Sequence, residues 1–266
     1  MMDRNEIDAA FPKMLEAARV AGRGLMEGYR KRPAASQKAK NDLLTEFDIR
    51  SEETIVRQLE VLGLPIIAEE NHKATVDDTQ ARLYIDPLDG TMNFVHGHFF
   101  FAVSIGLWEA GKCRAGVVFA PALSTAWWAT EGGGAYRNGW KLAVSENADF
   151  SEGLFASGFP AERSTAPKNN FGRFLEVKRQ TRGVRRCGSA SIDLALVADG
   201  TYDGYWEAHL HPWDYCAGVA LVEEAGGRVT AYDGSEADIR NGALVATNGR
   251  VHDALIGALA NAKELL

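Results

Sequence analysis

Residues 82–97 read RLYIDPLDGTMNFVHG. The opening RLYI is an apolar run suited to a strand, yet it ends in Asp86 and Asp89, followed at once by Gly90 and Thr91. A buried strand gains nothing from two carboxylates at its mouth; a metal ion and a phosphate would. Pro87 fixes its own φ and pushes Asp86 toward extended geometry. Gly90 permits a sharp turn and a close backbone approach. Thr91 stands where a helix can begin, with free amides pointing outward. Two acids converging there repel each other unless cations neutralise them, and oxygen-only ligands select hard ions such as Mg²⁺. A DxxD pair alone is more often a solvated turn or a cap; the apolar strand before it and the GT after it favour a site.

The rest of the chain allows such a site. With 266 residues, 46% of them apolar, it can bury a large core. A net charge of −7 disfavours a general binder of nucleic acid or acidic membrane. Cys113, Cys187 and Cys216 are scattered, as buried small residues in a reducing compartment would be. The start, MMDRNEIDAAF, has acids where a secretory leader has an apolar run, and no apolar run approaches membrane-spanning length. A cytoplasmic protein is expected.

Periodicity predicts a helix over residues 5–30, broken near its start by Pro12, then a polar loop over 31–42 and a second helix from Thr45 to a stop at Gly63. LPIIAEE (64–70) and RLYIDPLDG (82–90) each read as a strand delivering acids at its C-terminal end. The following 101–145 is dense in short strands with tight turns, which implies antiparallel pairing. Beyond about residue 150, strands and helices alternate, ending in a helix from Val251. The expectation is an α+β or α/β layered protein. Its antiparallel-rich part (1–145) carries most of the acids, and an α/β part (146–266) packs tightly against it.

DPLDGTMNFVHG resembles the DPxDGTxNFxxG signature of the inositol monophosphatase family, Mg²⁺-dependent, lithium-sensitive sugar phosphatases. Four further segments are similar to family motifs, in the family's order: KAKNDLLTEFD (38–48), AEE (68–70), RRCGSASIDLALVADGTYDGYWE (185–207) and HPWDYCAGVALVEEAGG (211–227). The resemblance implies an αβαβα sandwich, a homodimer, and two to three Mg²⁺ ions. One ion would be held by Glu69, Asp86 and the main-chain carbonyl of Leu88. Asp86, Asp89 and Asp214 would hold a second, and Glu69 would help a third. The same resemblance implies that Thr91 and Asp48 orient a metal-activated water and take its proton, with Glu69 counted among the catalytic groups. The phosphate would rest on the amides of Gly90 and Thr91. Glu207 would accept a polyol hydroxyl, Gly188, Ser189 and Ala190 would line the substrate, and Arg185 would touch substrate or a subunit interface. Lys38 would lie near the metals.

Plainer readings stand beside these. Asp48 suits a helix start, Ser189 a cap, and Trp213 packing. His96 with His98, and His209 with His211, have strand spacing for zinc but no evident partners to finish a site; the second pair is expected at the active-site rim. FFF (99–101) and WW (127–128) suit a core or a subunit face. The expected reaction is hydrolysis of a small sugar or polyol phosphate, first of all inositol monophosphate. Histidinol phosphate, fructose 1,6-bisphosphate or an adenosine bisphosphate are the alternatives within the superfamily. A bisphosphate would call on Arg163, Lys168, Arg185 or Arg186. A non-catalytic partner-binding protein on the same fold is the rival from another class.

Overall fold

Helix α1 (Arg4–Gly28) starts at Asp3, whose side chain accepts from the Glu6 amide at 2.9 Å while the Glu6 carboxylate accepts from the Asp3 amide at 2.7 Å. Such reciprocal bonds satisfy two of the donors a helix start leaves over. The computed structural model describes residues 1–39, 42–74, 77, 79–160 and 169–263. Contrary to expectation, α1 runs unbroken through Pro12. Pro12 is exposed, while Ile7, Met14, Ala18 and Leu25 are buried, so the packed stripe holds the helix together on both sides of the proline.

The polar 31–42 stretch also departs from the loop expected of it. Strands β1 (Ala35–Ala39) and β2 (Asp42–Thr45) pair antiparallel, Ser36 opposite Leu44. A two-stranded ladder is made by backbone groups and carries no hydrophobic alternation when neither face is buried, so it leaves no periodic sign in the residues. Helix α2 (Glu46–Leu59) follows directly, and a short 3₁₀ turn carries it to Gly63.

Strands β3 (Ile66–Ala68), β4 (Arg82–Asp89), β5 (Ala102–Glu109), β6 (Lys112–Ala120), β7 (Thr125–Thr130), β8 (Gly134–Arg137) and β9 (Trp140–Lys141) form one sheet in sequence order. Only β3–β4 is parallel. Helix α3 (Thr91–Val95) is the short turn after β4. Beyond it come β10 (Leu154–Ser157), α4 (Phe171–Gln180), β11 (Gly183–Arg185), α5 (Ala190–Ala198), β12 (Gly204–Ala208), α6 (Pro212–Glu224), β13 (Arg228–Thr230), β14 (Ala243–Thr247) and α7 (His252–Asn261). The second sheet has the order β11-β10-β12-β14-β13, parallel at β10 and antiparallel at β14.

Alternation along the first sheet sorts its residues between two cores. Leu83, Ile85, Val103, Ile105, Leu107, Ala115 and Val117 pack with α1 and α2. Tyr84, Trp108, Val118 and Ala120 pack with α5 and α6, which the second sheet covers from its other side. Helices α4 and α7 close the far face of that sheet over Val177, Trp206, Val245 and Leu255. The result is the five-layer αβαβα sandwich. Both α5 and α6 are buried almost all round, as central-layer helices must be. Phe100, Phe101 and Trp127 belong to the core, whereas Phe99 is exposed. Cys113 and Cys216 are buried free thiols and Cys187 is half-buried.

Candidate active site

All eight residues of β4 are buried, the acids included. Asp86 follows Tyr84 on the face that meets α6, and the pairing with β5 then slips between Asp86 and Asp89. That irregularity takes Pro87 and Leu88 out of register, so both aspartates can reach the same end of the sheet. The Leu88 amide donates to Asp86 Oδ1 at 3.0 Å, and the Ser51 hydroxyl donates to the Pro87 carbonyl at 2.7 Å. Gly90 has φ 94°, and a Cβ there would stand 3.0 Å from the Phe100 carbonyl and 3.1 Å from that of Gly188. Only glycine combines that conformation with that crowding. Asn93 ties the same two segments together, donating to Phe100 O at 2.7 Å and Cys187 O at 2.8 Å.

Three other elements deliver acids to this spot. Asp214 stands in the first turn of α6, where its Oδ2 accepts from the His211 amide at 2.7 Å. Asp48 stands in the first turn of α2; Thr45 donates to its Oδ2 from both amide (2.8 Å) and hydroxyl (2.6 Å). The Thr91 hydroxyl lies 2.8 Å from Asp48 Oδ1 and 3.0 Å from the Leu88 carbonyl. Glu69 follows β3 on a loop held by its neighbours. The buried Glu52 carboxylate accepts from the amides of Glu70 and Asn71, both at 2.8 Å, and lies 2.7 Å from His72 Nδ1. Lys73 donates to the Glu69 carbonyl at 2.6 Å and lies 4.1 Å from the Trp213 ring centre.

Glu69, Asp86, Asp89 and Asp214 line one cleft, with Leu88, Gly90 and Thr91 beside them. Burial first, and then the charges of Glu69, Asp89 and Asp214, push the Asp86 carboxyl well above its ordinary range. Burial likewise raises Asp214, with Glu69, Asp89 and Glu207 adding repulsion. Burial also raises Asp89, against the pull of hydrogen bonds from Ser191 and Ser189. Four acids facing one another in a low-dielectric cleft have one evident stabiliser, a multivalent cation. The available donors are carboxylates and a carbonyl, which suit a hard ion. Among the described residues no three His, Cys, Asp or Glu side chains close up around a single point, so the four acids share a cleft without forming a collapsed cluster. Their oxygen donors fit a hard cation.

An adjoining pocket is lined by Glu207, Asp193, Ser189 and Ala190, and shares Asp89, Asp214, Arg186 and Gly188 with the acidic cleft. Tyr205 donates its hydroxyl to Glu207 Oε2. Burial raises the Glu207 carboxyl to about 7, with Tyr205 and Arg186 pulling the other way. A Cβ at residue 158 would lie 1.9 Å from Glu207 Oε1, so Gly158 is the space the carboxylate occupies.

Most of the residues singled out in the sequence meet here, with some corrections. Arg185 lines neither part of the cleft; Arg186 lines both. Arg185 is the last residue of an edge strand, and its successor, past the strand end, is the one that turns inward. At the rim, Leu210 lines the pocket rather than His209 or His211, whose ring stacks on Trp213 at 4.7 Å. His98 stacks on Phe99 at 4.6 Å. The side chain of Lys38, and Arg163 and Lys168 entirely, lie outside the described residues. Glu52, Asn93, Asp193 and Ser191 were not among the site residues expected from the sequence. Glu52 shows there only as an acid among the buried positions of a helix; Ser191 lies inside the 185–207 motif, but its bond to Asp89 spans 102 residues.

An acidic all-oxygen cleft beside a pocket that holds a further carboxylate is the kind of site a cation-dependent enzyme of an anionic ester needs. Residues 8–264 match the inositol monophosphatase family. The inositol-1-monophosphatase of Synechocystis is 39% identical over 249 residues, covering 92% of this chain and 86% of the relative. Nus factor SuhB of Pseudomonas aeruginosa is 38% identical over 251 residues, covering 91% and 92%. The solved inositol monophosphatase of Anabaena superposes with a TM-score of 0.86 at 38% identity, covering 96% of each chain. The extragenic suppressor protein SuhB of Bartonella henselae does so at 0.89 and 35%, covering 95% and 99%. The chain belongs to the inositol monophosphatase family, and is a phosphoric monoester hydrolase.

Proposed function

We propose that the chain hydrolyses inositol monophosphate to inositol and phosphate, using Mg²⁺. The observation that carries this is the meeting of Glu69, Asp86, Asp89 and Asp214 in one cleft next to Glu207. Glu69, Asp86 and the Leu88 carbonyl would hold one ion; Asp86, Asp89 and Asp214 would hold another; Glu69 would serve a third. When bound, Mg²⁺ supplies Lewis acidity, neutralising phosphoryl charge and acidifying water. Thr91 can donate its hydroxyl proton to Asp48 Oδ1, 2.8 Å away, which frees the oxygen lone pairs to accept from an attacking water. Asp48 Oδ2 is already engaged by Thr45, so Oδ1 is the atom left to take the proton. Gly90 and Thr91 lie where the phosphate would sit, and Glu207 accepts a hydroxyl of the alcohol while Ser189 and Ala190 shape its pocket.

The two sheets divide the chain between residues 141 and 154, which supports reading 1–145 and 146–266 as two parts with the cleft between them. A cytoplasmic home is the expected location; no described helix is long and apolar enough to cross a membrane. A homodimer is the expected assembly. A role with nucleic acid would have to work against a net charge of −7.

The test is phosphate release from a panel of inositol monophosphate, histidinol phosphate, fructose 1,6-bisphosphate and adenosine bisphosphate, with Mg²⁺ and with chelator. The highest kcat/KM is expected on inositol monophosphate; a preference for another member would move the assignment to that substrate.

A further inference from the structure

Asp193 has no part in the reading above. It lies in the first turn of α5, where an acid ordinarily caps the helix or faces water. Here it does neither. The cap is Ser189, whose side chain accepts from the Ile192 amide. Asp193 itself is 2% exposed. Its Oδ1 is buried and makes no hydrogen bond to any described residue. Yet Asp193 lines the pocket that holds Glu207, and the two carboxylates and Asp89 repel one another there, with Arg186 the cation among the described residues that acts on Asp193. Buried polar atoms in folded proteins are almost always partnered, so an orphan on a pocket wall points to a partner that arrives with the ligand.

Resting on the phosphatase reading, we propose that Asp193 and Glu207 together accept two neighbouring hydroxyls of the substrate alcohol, so that the site selects a phosphomonoester of a vicinal diol. A carboxylate accepts hydrogen bonds without donating any, so paired carboxylates favour hydroxyl groups and disfavour a second phosphate. This sets a polyol monophosphate apart from a bisphosphate, and makes Asp193 a specificity residue that meets the alcohol rather than the phosphate. Removing a buried carboxylate whose Oδ1 no described residue partners should not weaken the fold; removing a purely structural Asp193 would.

Asp193→Ala and the closer-shaped Asp193→Asn, with the native protein, are assayed at saturating Mg²⁺ on inositol 1-phosphate and on 4-nitrophenyl phosphate, which lacks the diol. For Asp193→Ala, KM for inositol 1-phosphate should rise about tenfold with kcat within about threefold, and the aryl ester should be unaffected. Asp193→Asn should fall between native and Ala, and neither melting temperature should drop. An unchanged KM, or equal losses on both esters with a lowered melting temperature, would overturn the role of Asp193. A native protein that cleaves the aryl ester but discriminates against the diol also overturns it and leaves the phosphatase reading intact. A native protein that cleaves neither overturns both.

Discussion

Thr91 and Asp48, 43 residues apart in the chain, are joined by a hydrogen bond of 2.8 Å between the threonine hydroxyl and Asp48 Oδ1. Burial raises the Asp48 carboxyl, opposed by the bonds from Thr45 and Thr91, which suits a group that must receive a proton. Thr91→Val or Asp48→Asn should lower kcat about 10²- to 10⁴-fold, while Thr91→Ser stays near native. As one proposed relay, the two predict a double variant little worse than either single. Near-native turnover by Thr91→Val would remove the relay.

Asp89 is tied by one oxygen and left free by the other. Its Oδ2 accepts from Ser189 Oγ (2.7 Å), the Ser191 amide (2.8 Å) and Ser191 Oγ (2.5 Å). An asparagine can present its carbonyl to those three donors and turn its amino group, which cannot bind a cation, to the cleft. Asp89→Asn should therefore fold and melt near the native temperature, yet lose at least about a hundredfold in kcat. Circular dichroism and a rate assay on one preparation decide it; retained turnover would remove Asp89 from the ligand set.

Glu52 holds the Glu69 loop without facing the cleft. Glu52→Ala would leave the amides of Glu70 and Asn71 unpaired, a cost of about 1–3 kcal/mol. It should also raise the Mg²⁺ concentration for half-maximal activity about tenfold, as loss of a group that orients a ligand does. A lowered melting temperature with an unchanged Mg²⁺ requirement would mean Glu52 supports the fold alone.

The Glu207 carboxyl, raised from 4.5 to about 7, gives a pH signature. It must be ionised to accept a hydroxyl, so KM for inositol 1-phosphate should fall as pH rises through about 7, and Glu207→Gln should abolish that change. In stability the sign is opposite. The folded state keeps the proton up to about 7 and the unfolded state releases it near 4.5, so the stabilisation is full below 4.5 and lost as pH rises to 7. Melting curves of the native protein without Mg²⁺ should show that decline, and those of Glu207→Gln should show less of it. A KM that is flat across neutrality would contradict the role given to Glu207.

What the sequence revealed followed from physics that is local in the chain. The β4 strand, the turn at Gly90 and the helix starts at Thr45, Thr91 and Asp214 each combine an apolar run with a breaker or a cap. The acids could be seen waiting at the ends of those elements. Their convergence was legible through resemblance to family motifs and not through spacing, since β4, α2 and α6 meet only in the fold. Glu52, Ser191 and Asp193 stayed hidden because their meaning lies in long-range contacts, or in the lack of one. The choice between Arg185 and Arg186 turned on where a strand stops, which lies within the ordinary uncertainty of an element boundary. The β1–β2 ladder stayed hidden because its pairs set a polar residue against an apolar one, Ser36 with Leu44 and Gln37 with Leu43, and leave no alternation along either strand.

The most direct measurement is the rate of phosphate release from inositol 1-phosphate as Mg²⁺ is titrated into metal-free protein. Turnover should be absent in chelator, rise with Mg²⁺, and return when Mg²⁺ is restored after chelation. Undiminished turnover in chelator, or none at any Mg²⁺ concentration, would contradict the assignment of Glu69, Asp86, Asp89 and Asp214 to a cation-dependent phosphatase centre.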